Sequence, residues 1–128
     1  MKSISTPNAP AAIGPYSQAI SAGQEVGGFV FLSGQLPIDP VTGAFPEGGI
    51  EAQTRQSILN IQAILSEAGL SLSDVVKTTV FLSDIADFGA MNGVYSQFFS
   101  APYPARSAFA VKDLPKGALV EIECIAEK

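Results

Sequence analysis

Several segments of this chain are apolar on both faces of what reads as a β-strand. Side chains alternate between faces along a strand. Yet in "GGFVFLSGQL" (27–36) Val30 and Leu32 oppose Phe29 and Phe31, and in "DVVKTTVFLSD" (74–84) Val75 and Phe81 oppose Val80 and Leu82. Both faces of a sheet built from such strands must leave water, and only two segments read as helices. From Ile50 to Ala68, the residues Thr54, Ile58, Ile61, Leu65 and Ala68 recur at spacings of four, three, four and three. That is one helix face, with Gly69 as its C-terminal stop. A second helix starting near Asp84 turns Ile85, Phe88, Met91, Tyr95 and Phe98 or Phe99 inward. Two helices cover one face of the sheet. The other face has no cover within the chain, so the pattern predicts a homo-oligomer with sites between subunits.

The remaining segments complete an α+β pattern. Pro7, Pro10 and Pro15 make residues 1–15 an extended or looped entry, and "YSQAI" (16–20) reads as a strand. "PIDPVTGAFPEGG" (37–49), with three prolines and three glycines, must be a loop, and loops of that length are often functional. Strands 105–111 and 118–126 follow, separated by "KDLPKG". The order is β-β-α-β-α-β-β with room for a short leading strand, which predicts a mixed sheet in a single domain, 1–128.

What the chain lacks narrows its chemistry. It contains no histidine and one cysteine, Cys124. Ser-His-Asp and Cys-His nucleophile systems and His- or Cys-rich zinc sites are therefore excluded in their usual forms. Catalysis must rest on carboxylates, tyrosine, lysine, arginine or backbone groups. A lone cysteine also forms no internal disulfide, consistent with a reducing, cytoplasmic setting. The balance of 7 Lys+Arg against 12 Asp+Glu, with cations scattered singly, argues against nucleic acid and anionic membranes as partners. No apolar run at the start reads as a signal sequence, and no segment approaches a membrane span. "GQEVGG" and "PEGGIEAQ" lack phosphate-loop spacing and read as turns, and "SDIAD" has no calcium-loop pattern.

One charge stands out. In "YPARSAFAV" (103–111), Arg106 sits inside a strand and shares a side with Ala108 and Ala110. A permanently charged guanidinium needs a counter-charge when it is withdrawn from water. The chain offers Glu121 or Glu123, which share a face of the last strand. A small carboxylate ligand gripped bidentately serves equally well.

"NAPAAIGPYSQAI", "FLSGQLPIDPVTG", "VVKTTVFLSDIADFGAMNGVY", "YPARSA" and "VEIECIA" together resemble the RidA/YjgF family of reactive-intermediate deaminases, in the family's order and across the whole chain. The resemblance implies a chorismate-mutase-like α+β fold, two helices on one sheet face, and a barrel-cored homotrimer with clefts between subunits. It implies hydrolysis of 2-imino acids and their 2-enamine tautomers, such as 2-iminobutanoate and 2-aminoacrylate, to 2-keto acids and ammonia, without cofactor or metal. Arg106 would clamp the substrate carboxylate, and the backbone N–H near Ala108 would share it. Glu121, which alternation alone does not separate from Glu123, would orient or deprotonate water. Tyr16 would line the site and hydrogen-bond substrate or water, and Ser33, Gly34 and Asn92 match further cleft positions.

Many members carry cysteine where this chain has Ala108, so no thiol nucleophile is available there. Cys124 does not match that position and reads as a small buried residue. Lys77 reads as solvated or trimer-lining. Two other readings of the cleft remain: a non-catalytic binder or sensor of 2-keto acids, which also needs Arg106, and a ribonuclease or translation inhibitor, against which charge and the missing histidine speak.

Overall fold

Alternation along the strands resolves into two unlike faces of one sheet. The computed structural model describes residues 1–128. In chain order it forms β1 (Lys2–Ile4), β2 (Ala19–Ala22), β3 (Phe29–Gln35), α1 (Gly49–Glu67), β4 (Val75–Leu82), α2 (Phe88–Phe98), β5 (Ala105–Ala110) and β6 (Val120–Glu127). The six strands make a single sheet in the order β1-β2-β3-β6-β4-β5. Every pairing is antiparallel except β4 with β5, which α2 joins as a parallel crossover. The architecture is the expected mixed α+β sheet with two helices.

Both helices lie on one face. Val30, Leu32, Val80, Leu82, Val120, Ile122, Cys124 and Ala126 point toward them and join Ile58, Ile61, Ile64 and Leu65 of α1 and Met91 and Tyr95 of α2 in one core. Each fully buried Ile or Leu there contributes roughly 1.5–3 kcal/mol relative to exposure. Gly69 ends α1 as expected: at φ 75° it lets its own N–H reach Ser66 and that of Leu70 reach Leu65, closing the last turn.

The opposite face is uncovered. Phe29, Phe31 and Phe109 remain 40%, 45% and 45% exposed there, beside Phe81 and Ile125. Edge-to-face contact between Phe81 and Phe109, with centroids 5.6 Å apart, makes part of this surface continuous.

Three sequence expectations change. A register shift between Val75 and Lys77 turns Val75 onto the helix side, where it is buried, leaving Phe81 as the large apolar residue β4 gives the open face. "YSQAI" is a strand only from Ala19. Gln18 is buried and serves as a clasp: its Oε1 accepts the Thr6 N–H at 2.7 Å and its Nε2 donates to the carbonyls of Thr6 and Pro10 at 3.1 and 2.7 Å. Those bonds hold the proline-rich entry against residues 16–18, which therefore run as a loop. The entry itself contributes the leading strand β1. Ile85 is 57% exposed, because the chain after Asp84 first makes a single 3-10 turn, capped by Asp84, and α2 proper begins at Phe88.

Candidate functional site

The residues singled out in the sequence fall into two groups on opposite faces of the sheet. The first surrounds Glu121. Glu121 and Glu123 share a face, as strand alternation predicts; that face is the open one, and Glu121 lies opposite Phe81 of β4. On its other side β3 bulges between Leu32 and Gln35, bringing Ser33 and Gly34 beside it. The Glu121 carboxylate passes directly over the Gly34 Cα, where any side chain would collide with it. Gly34 is thus required for space. Its backbone is not left-handed.

Ser33 has a structural task in the same place. Its hydroxyl donates to the Ser17 carbonyl at 2.6 Å and its N–H to Gln18 at 3.0 Å, tying the loop that carries Tyr16 to β3. Tyr16, half exposed, then completes a cleft of about 390 Å³ with Glu121, Gly34, Ile13, Leu36 and Lys116. Burial, and then the charge of neighbouring Glu123, raise the pKa of the Glu121 carboxyl from its ordinary value. A carboxyl so placed takes up and releases a proton closer to neutrality than a solvated one.

The second group surrounds Arg106. In the parallel register Arg106 lies beside Thr78, a buried residue of the helix face. The guanidinium therefore sits on the α2 side of β5 and not on the uncovered face. An ion pair within the chain to Glu121 or Glu123 is excluded: they lie across the sheet, with Glu121 on the order of 14 Å away along Cα positions. Instead Nη1 donates to Asn92 Oδ1 at 2.7 Å, and the group lies over the rings of Tyr95 and Phe88, 4.7 and 5.6 Å from their centroids. Arg106, Asn92 and Tyr95 line a recess of about 580 Å³ with Ser96, Tyr103 and Pro104.

β5 is an edge strand, and its free side is polar. Val111 N–H bonds to the Leu82 carbonyl, so the two-residue period of the ladder turns the N–H groups of Arg106, Ala108 and Ala110 outward. Arg106 and the Ala108 N–H consequently present donors at one edge, which suits an anion. Lys77 is exposed on the open face, and Cys124 is buried as expected, its thiol pushed up to about 12 by burial and then by Glu123.

Comparison with known proteins agrees with this architecture. Residues 6–128 match the family model described as endoribonuclease L-PSP. The chain belongs to this family, that of RidA and YjgF. Among RidA/YjgF relatives, the RutC family protein y4sK of Sinorhizobium fredii is 56% identical, covering 95% of this chain and 94% of its own. The 2-iminobutanoate/2-iminopropanoate deaminase of Salmonella typhimurium is 51% identical, covering 98% and 96%. A crystal structure of Escherichia coli TdcF with bound serine superposes with a TM-score of 0.92 at 46% identity, over 100% of this chain and 99% of that one.

Three residues that line or brace these two clefts were not singled out from sequence. Tyr95 was read as core only, although Phe88, Asn92 and Tyr95 stand at helical spacing on one stripe of α2. Gln18 lay inside a segment read as strand. Lys116, in the "PKG" turn, takes a left-handed φ of 58° in the cleft wall, and no local pattern announces that for a lysine.

Proposed function

We propose that this protein hydrolyses reactive 2-imino acids and their 2-enamine tautomers, such as 2-iminobutanoate and 2-aminoacrylate, to 2-keto acids and ammonia. The observation that carries the reading is the division of the site. A carboxylate-binding edge (Arg106, Ala108 N–H) and an acid–base cleft (Glu121, Tyr16, Gly34) occur in one chain but face apart, so they complement each other only between copies. The exposed phenylalanines of the open face and the unpaired edge of β5 give such an assembly a driving force. A homotrimer, as the family resemblance implies, closes a ring of three equivalent clefts.

In this reading Arg106 and the Ala108 N–H hold the substrate carboxylate, which fixes C2 against the neighbouring copy's Glu121. Glu121 takes a proton from water as its oxygen bonds to C2, and the C=N pair moves to nitrogen. With the imine protonated, the adduct carries an amine, to which Glu121 returns the proton. The hydroxyl on C2 then gives its own proton to Glu121 as its electron pair forms the C=O bond and the C–N bond breaks, so ammonia leaves and C2 becomes the keto carbon. General-base assistance of this kind is typically worth about 10²–10⁴-fold. An enamine enters the same route after protonation at C3. Tyr16 hydrogen-bonds the attacking water or the departing nitrogen. Ala108 contributes only backbone, so the family's common cysteine is dispensable to this scheme.

Supporting the reading, relatives from Salmonella typhimurium, Capra hircus and Bos taurus at 49–51% identity are named 2-iminobutanoate/2-iminopropanoate deaminase, and the TdcF structure holds serine, an amino acid with an α-carboxylate. The family's endoribonuclease description transfers poorly to a chain of net charge −5 with no histidine. No helix is long and apolar enough to cross a membrane.

The test couples the protein to a serine or threonine dehydratase that makes the imine in place. Wild type should accelerate keto-acid formation and Arg106→Ala should not. A folded, oligomeric wild type without effect on either imine would leave the cleft as a carboxylate-binding site without catalysis.

A further inference from the structure

We propose that the α2 stripe Phe88, Asn92 and Tyr95 is a cradle that fixes the orientation of Arg106 before any ligand arrives, with Tyr95 as its principal positioning residue. The proposal rests on the reading of Arg106 as the carboxylate clamp and adds what makes that clamp effective.

The cradle combines one hydrogen bond with two aromatic contacts. Asn92 Oδ1 takes one in-plane donor, Nη1, at 2.7 Å. The Tyr95 and Phe88 rings take its charge at 4.7 and 5.6 Å. Five N–H donors less one leave four, enough for a planar, two-point grip on a carboxylate. An arginine free on a strand edge would have to order a long, rotamer-rich side chain at the moment of binding, and that ordering subtracts from affinity.

Tyr95 is itself held more firmly than packing alone requires. Its hydroxyl lies 2.8 Å from that of Thr78, its ring stacks on Phe99 with centroids 4.4 Å apart, and it is 6% exposed. Thr78 is also the residue paired in register with Arg106. One β4 side chain therefore locates the aromatic platform, while the same β4 position locates the backbone of the arginine that rests on it. Helix and strand cannot drift apart at this point without breaking the Thr78–Tyr95 bond.

Tyr95→Leu removes the platform, and Tyr95→Phe keeps the ring while giving up the bond to Thr78. The probe is 2-oxobutanoate, a stable 2-keto acid, titrated calorimetrically into the oligomer as isolated. Tyr95→Leu should weaken binding roughly three- to thirtyfold, and Tyr95→Phe should stay within about threefold of wild type. In an Arg106→Ala background, Tyr95→Leu should cause no further loss, because it acts through the arginine. Asn92→Ala, at a half-buried and more tolerant position, should show the same dependence on Arg106.

A second readout is independent of ligand: ¹⁵N relaxation of Arg106 Nε should report an ordered side chain in wild type and Tyr95→Phe, released in Tyr95→Leu. Equal losses in both arginine backgrounds, or an Arg106 Nε as mobile in wild type as in Tyr95→Leu, would overturn the cradle. An ordered Arg106 that Tyr95→Leu releases, in a wild type that does not bind the keto acid, would uphold the cradle and remove the carboxylate reading alone.

Discussion

Arg106 and Glu121 lie on opposite faces of one sheet, with β4 between their strands. Neither can serve the other within a chain. If they act on one substrate, each active site takes its arginine from one copy and its glutamate from another.

That arrangement predicts complementation. Arg106→Ala and Glu121→Gln should each be inactive as pure proteins. Co-expressed in one cell, they form mixed oligomers in which some clefts receive both native residues. Random assembly of equal amounts restores about a quarter of the clefts, since each must draw the right variant on both sides. Deaminase activity of the mixture, beside its mass in solution, checks this. Mixed oligomers that stay silent would mean that the two residues belong to separate sites.

Glu121 gives a pH dependence with a defined sign. Burial, followed by the Glu123 charge, raises its pKa above the unfolded value. The folded protein thus binds this proton more tightly than the unfolded chain does. The contribution to stability is complete below the ordinary carboxylate pKa and is lost as pH rises through the higher folded value. Glu121→Gln, which carries no ionisable group, should therefore raise Tm at neutral pH, and the gain should vanish in acid. As a base, Glu121 must also be ionised, so kcat/KM should rise with pH along that same limb. Glu123→Gln should move the limb to lower pH.

Gly34→Ala separates activity from stability. The added methyl meets Oε1, Cδ and Cγ of the flexible Glu121 side chain, which must shift to admit it. Thermal stability should fall by no more than about 1–3 kcal/mol, the usual cost of overpacking. Activity should fall about a hundredfold, the scale expected when a reacting group is misplaced by an ångström. Equal losses of both would mean the glycine is needed for folding alone.

Cys124 should be chemically silent. With its thiol buried and pushed up to about 12, almost no thiolate exists at neutral pH. Native protein should resist iodoacetamide, and the unfolded chain should react fully. Rapid alkylation of the native protein would show that β6 opens locally.

Much of this was legible in the residues because secondary structure follows local period. The four-and-three spacing through Thr54, Ile58, Ile61 and Leu65 placed α1 and its buried face, and the Pro/Gly-rich 37–49 stretch announced a loop. Alternation put Arg106 with Ala108 and Ala110, and Glu121 with Glu123. Period failed where one side chain does long-range work. Gln18 turns an apparent strand into a clasped loop, and a single bulge moves Val75 across the sheet.

Alternation along a strand is set by the chain's own stereochemistry, so the sequence by itself determined which residues share a side. It determined too that two helices leave one sheet face bare. Only the tertiary structure decided which side was which and which strands became neighbours. Inserting β6 between β3 and β4 lays Glu121 over Gly34 and leaves β5 at the edge with its donors free. It also sets Arg106 on the ring of Tyr95. Those outcomes depend on pairings between residues far apart in the chain, whose free energies no local pattern records.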